Sequence, residues 1–124
     1  KEAQNFVDAV DHPAAGILID LMHLNRSGDD LPDLDTPIFP YIQGCDFWQS
    51  SANMTGKNYI EAAVDSRCCL GEGEARMEDI TKVCGSDKDV SLEIRSSSLR
   101  KRFPDPYLRA ETIFNICNRT VFST

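Results

Sequence analysis

The sequence predicts a single α+β domain over residues 1–124, in which an N-terminal amphipathic helix packs on a small antiparallel sheet and disulfides staple the two together. Three observations predict it. Ala3, Val7, Val10, Ala14, Ile17, Leu21 and Leu24 recur at steps of four and three, which is the helical period. Val90, Leu92 and Ile94 alternate with Ser91, Glu93 and Arg95, the period of a half-buried strand. Five cysteines, Cys45, Cys68, Cys69, Cys84 and Cys117, share the chain with three Asn-X-Ser/Thr triplets, the pattern of a protein matured in an oxidising compartment.

The first stripe contains Pro13, which breaks a helix interior but fits a first turn. The expectation is therefore a short helix near residues 2–10 and a longer one over 13–25, capped by Asp11 or His12 and ended by Gly28. The alternative architecture is an all-β sandwich with residues 16–24 as its first strand. Gly28 to Pro40 carries four prolines or glycines and reads as loop. Residues 59–70 read as a strand or short helix running into the vicinal cysteines. Residues 71–74 form a turn, 75–83 a helix, 96–102 a polar basic stretch and 103–106 a loop. Residues 112–122 are β-prone through Ile113, Phe114, Ile116, Val121 and Phe122. No internal repeat or low-complexity segment divides the chain.

Adjacent cysteines rarely bond each other, because the peptide between them is strained. One of Cys68 and Cys69 is expected to take Cys45, and the other Cys84 or Cys117. The odd thiol then links two chains in a disulfide-bonded dimer, stays buried, or has its mate outside this segment.

Net charge is −7 and uneven: residues 1–80 hold 15 acidic against 5 basic residues, and residues 81–124 hold 5 against 8. An acidic surface repels phosphate backbones and argues against nucleic acid. Mean hydropathy is −0.34, and no apolar run reaches the ~20 residues that cross a bilayer, so no membrane insertion is expected. The chain starts at Lys1 without an apolar leader, as a processed chain or an excised ectodomain does.

Candidate sites follow from these patterns. Asn25, Asn53 and Asn118 head the three triplets and are N-glycan acceptors in a secreted protein. Phe39, Tyr41, Phe47 and Trp48 form the densest aromatic group, with Tyr41 and Trp48 as partner-binding anchors and core packing as the plainer reading. Arg100, Lys101 and Arg102 form a basic cluster for an acidic partner or sulfated polysaccharide, and Tyr107 beside Pro106 is a further anchor. Asp29, Asp30, Asp33 and Asp35 are oxygen donors of the calcium type, but they lack the EF-hand spacing, so no metal is assigned. The plainer reading is an acidic solvated loop. No catalytic motif is present, so neither an enzyme nor a cofactor is expected. The resulting expectation is an extracellular, glycosylated module of a receptor, adhesion or envelope-type protein that binds a protein partner. A secreted disulfide-linked signalling ligand and a small secreted enzyme or inhibitor are the alternatives.

Overall fold

The structure is a computed structural model, and it describes residues 1–48 and 56–122. Along the chain run α1 (Glu2–Val10), β1 (Ile19–Asp20), α2 (Leu21–Ser27), β2 (Ile42–Gly44), β3 (Asp46–Phe47), α3 (Gly56–Asp65), β4 (Arg67–Cys68), α4 (Met77–Cys84), β5 (Val90–Leu92), α5 (Ser97–Arg102) and α6 (Pro106–Phe122). Helices and small sheets alternate, so the mixed α+β class holds.

The sheet differs from the expected antiparallel one. Its larger part has the order β1-β2-β5 with both pairings parallel, Ile19 opposite Ile42 and Ile42 opposite Val90. Among the described residues antiparallel pairing is confined to a separate two-stranded sheet, β3-β4, with Asp46 opposite Cys68, and an isolated bridge between Ser66 and Ser96. Parallel neighbours need long connections, and residues 21–41 and 45–89 supply them. Gly44 is required where β2 meets β5, because a Cβ there would stand 2.8 Å from Val90 Cγ1.

The first helix forms where its apolar stripe predicts, yet none of its residues is buried; Phe6 is 71% exposed. The helix that packs on the sheet is α2. It is shorter than expected, because residues 19–20 pair with β2 instead of continuing a helix. Asp20 caps it, accepting from the backbone N–H of Met22 at 2.9 Å and of His23 at 3.1 Å, in place of Asp11 or His12. Gly28 ends it at φ 74°, in the left-handed region that glycine enters without penalty.

Residues 112–122 form helix, not strand. Pro106 opens α6 as its first residue, and Asp105 accepts from the Leu108 N–H at 2.9 Å, a cap-and-proline start. Ile113, Ile116 and Cys117 then meet the core at helical spacing. That core contains Ile19, Leu21, Phe39, Ile42, Cys69, Leu70, Ile80 and Val83, and a second cluster gathers Met22, Cys45 and Phe47.

The structure contains no disulfide, and all five cysteines are free thiols. The core closes without staples because α4, α6 and the sheet supply apolar surface of their own.

Candidate functional site

Strand β2 turns Ile42 and Gly44 toward the core and Gln43 away from it. Asp20 lies opposite Gln43 in register, and Glu93 follows β5, its N–H bonded to the Gly44 carbonyl at 3.0 Å. Asp20, Gln43 and Glu93 therefore stand at the carboxyl ends of three parallel strands, where open parallel sheets bind ligands. They line a cleft of about 870 Å³ together with His23, Asp29, Asp30, Lys1 and Arg67.

Arg67 is the hub of this site and is 4% exposed. Its Nη1 donates to Asp20 Oδ2 at 2.8 Å and lies 3.4 Å from Glu93 Oε2. The same nitrogen is 3.2 Å from Cys45 Sγ, and Nε donates to the Ala63 carbonyl at 2.8 Å. A buried guanidinium with most donors committed to its own chain is a fixed charge, not an open anion receptor.

His23 extends the hub toward solvent. Its Nε2 lies 3.4 Å from Arg67 Nη2, and its Nδ1 is 2.6 Å from Tyr59 Oη. Arginine has no acceptor, so Nε2 carries the lone pair and Nδ1–H donates to Tyr59. The contact from His23 to Asp20 Oδ2, at 3.9 Å, is too long for a hydrogen bond. Arg26 stacks over Tyr59 at 5.1 Å and over Phe47 at 5.9 Å, which fixes the rim.

Cys45 is not poised as a nucleophile. Burial pushes its thiol up, Arg67 offsets part of that, and the net value is about 11. At neutral pH it is an S–H group. Of the two carboxylates, Glu93 is the more open, 29% exposed at its side chain against 9% for Asp20. Four carboxylates, Asp20, Asp29, Asp30 and Glu93, line the cleft with Lys1 and Arg67, and Asp30 is paired from outside it by Arg76 at 3.1 Å. The arrangement offers hydrogen-bond acceptors to an incoming group.

The residues singled out from sequence lie elsewhere or take other roles. Phe39 and Phe47 are 5% and 1% exposed, whereas Tyr41 and Trp48 are 43% and 49% exposed, so the aromatic group divides into core and surface. Arg100 pairs with Asp65, Arg102 stacks over Phe103 and Tyr107 is 85% exposed. Lys101 is exposed. The aspartates do not converge. Asp29 lies 3.6 Å from the Lys1 amino group, Asp30 pairs with Arg76 at 3.1 Å, and Asp33 accepts from the Asp35 N–H. Among the described residues no three His, Cys, Asp or Glu side chains gather to hold a metal ion. Asn25 is half-buried on α2, Asn118 is exposed on α6, and Asn53 lies outside the described residues.

Sequence reading passed over Gln43, Tyr59, Arg67 and Glu93 as site residues. One signal for two of them was present: residues 41–43 form a short apolar run ending on the polar Gln43, and Glu93 is a polar position of the alternating stretch over residues 90–95. No helix among the described residues is long and apolar enough to cross a membrane. No family model, curated protein or solved structure matches this chain.

Proposed function

We propose that the chain is an extracellular recognition module and that its protein partner places a basic side chain in the cleft at the carboxyl ends of β1, β2 and β5. The observation that carries this reading is the Glu93 carboxylate, which lines the cleft 29% exposed at its side chain while Arg67, the buried cation of the cleft, is held at 2.8 Å by Asp20. An incoming ammonium or guanidinium meets Glu93 there, and the acidic first two-thirds of the chain steers it in. The exposed Tyr41 and Trp48 supply contact area of the kind that anchors protein interfaces. The glycosylation triplets and the lack of a catalytic motif support the extracellular, non-enzymatic part of the reading.

The test is a titration of isotope-labelled protein with an oligo-arginine peptide and, separately, an oligo-glutamate peptide. The expected result is saturable shifts at Gln43, His23 and Glu93 with the basic peptide alone, at a Kd below about 1 mM. Glu93→Gln weakens it roughly fivefold, about 1 kcal/mol. Equal shifts with both peptides, or shifts spread over the whole acidic surface, would overturn the reading. Intact mass of protein from a eukaryotic secretory host, with and without glycosidase, tests the compartment; no glycan at any of the three triplets would remove it.

A further inference from the structure

A second cleft, of about 630 Å³, lies beside β4, and its volume is that of a small-molecule site, about 300–1,000 Å³. Trp48, which follows β3, lines it and is 49% exposed. The start of α5 lines it too, and backbone pairing fixes that segment in place. The Arg67 N–H donates to the Arg95 carbonyl at 3.1 Å, and Ser66 bridges to Ser96.

The rest of the lining can donate and accept hydrogen bonds without net charge. Ser66, Ser96, Ser97 and Ser98 contribute hydroxyls. The Oγ atoms of Ser96 and Ser98 are bonded to each other at 2.8 Å, whereas the hydroxyls of Ser66 and Ser97 make no hydrogen bond among the described residues. Two carboxylates, Asp65 and Glu72, are balanced by two guanidiniums, Arg67 and Arg102. Three of these four are held by their own chain: Arg67 by Asp20, Asp65 by Arg100, and Glu72 by the Cys69 N–H at 3.1 Å. Arg102 stacks over Phe103 and has no carboxylate partner among the described residues.

These features select a ligand class. A phosphate or an amine meets a like charge here for every opposite one. A neutral sugar ring matches better. Its hydroxyls both donate and accept, as serine hydroxyls do, and they can take a hydrogen bond from a guanidinium and give one to a carboxylate. Its C–H face is apolar and faintly positive, and the indole face is the negative side of the aromatic quadrupole, so the two stack. We propose that this cleft binds a neutral pyranose, with Trp48 as the stacking surface, Ser66 and Ser97 bonded to the ring hydroxyls, and Arg102 and Glu72 completing the set. Trp48 thereby takes a role beside the contact area it offers a protein partner.

Trp48 is the single tryptophan of the chain, so its fluorescence reads this cleft directly. The experiment titrates the full chain with the methyl pyranosides of glucose, galactose, mannose, fucose and N-acetylglucosamine, and with sorbitol and inorganic phosphate as controls. The expected result is a saturable change in emission with at least one pyranoside, at a Kd below about 10 mM, and none with sorbitol or phosphate. Saturation-transfer NMR on the sugar then reads the variants. Trp48→Ala should abolish transfer, and Ser97→Ala should weaken binding roughly fivefold, the effect of one lost hydrogen bond. No saturable response to any of the pyranosides, an equal response to sorbitol, or transfer undiminished in Trp48→Ala would overturn the proposal. Should Trp48→Ala fail to fold, amide shifts of the unaltered protein decide. Movement at Ser66, Glu72 and Ser97 supports the site, and movement confined to His23, Gln43 and Glu93 puts the sugar in the first cleft and overturns it. The basic-peptide titration reads the first cleft, so either proposal can fail alone.

Discussion

Asp46 and Arg67 stand on adjacent strands β3 and β4, 1% and 4% exposed, and their buried charges are settled in opposite ways. Among the described residues Asp46 is held by backbone N–H groups. Its Oδ1 accepts from the N–H groups of Phe47 and Ala75 at 2.7 and 2.9 Å, and its Oδ2 from Gly71 and Gly73 at 3.0 and 2.9 Å. Arg67 is held mainly by side chains, drawn from β1, α2, the residue between β2 and β3, and the segment after β5. A carboxylate satisfied by neutral dipoles of its own fold organises a loop. A cation satisfied by carboxylates that border a cleft also sets the potential of that cleft. The first is architecture, and the second joins architecture to binding.

Removing Arg67 should have the largest effect. Arg67→Ala leaves Asp20 without its buried partner, and unpairing a buried charge costs roughly 3–5 kcal/mol; urea unfolding reads the loss. Arg67→Met combined with Glu93→Gln should recover at least about 1 kcal/mol of it, since an apolar replacement of matching volume strands fewer charges. A double variant no better than Arg67→Ala would show that the loss comes from the Asp20 charge left behind and not from packing volume or from Glu93.

Asp46→Ala should cost about 3 kcal/mol, because four N–H groups lose one acceptor and the partly exposed ones regain water. Asp46→Asn should fall between, as an amide oxygen replaces only part of a charge-assisted set. Equal losses for Asn and Ala would break the contrast with Arg67.

The next effect lies in alkaline pH. Folded Cys45 titrates near 11 against an ordinary 9.0, so the folded state holds its proton more tightly than the unfolded chain does. Its contribution is fully present below pH 9 and is lost as pH rises through 11. The unfolding free energy read from urea titrations should fall by on the order of 2 kcal/mol over that window. Cys45→Ala should flatten the slope there.

The smallest effect distinguishes the cleft from the scaffold. Glu93→Gln should change stability by less than about 0.5 kcal/mol, since its side chain is partly solvated, while it weakens the basic peptide. A stability loss as large as that of Asp46→Ala would make Glu93 part of the scaffold.

Local patterns in the sequence carried much of the helical architecture. The stripe at residues 3–10, the Gly28 stop, the turn at 71–74 and the α4 spacing of Met77, Ile80 and Val83 all require neighbours only a few positions apart. The sheet was harder to read, because strands of two or three residues are too short to display a period. Residues 112–122 were misread through β-prone Ile and Phe, although Asp105-Pro106 marked a helix start and Ile113, Ile116 and Cys117 held helical spacing; burial of that face against α4 decided the outcome. The hub was illegible because residues 20, 23, 45, 67 and 93 meet only through tertiary folding. Gly73 was legible as a turn but not as a necessity: a Cβ there would collide with the Asp46 carboxylate.

The Asp46 cradle also bears on time. Gly71, Gly73 and Ala75 lie in a segment with no helix or strand, and amides in such a segment ordinarily trade their hydrogens with solvent almost as fast as in an unfolded chain. Here those amides are anchored to one buried carboxylate, so they can exchange only when β3 lets go of the loop. In deuterated water the turn should therefore keep its protons as long as the sheet does, and should release them together.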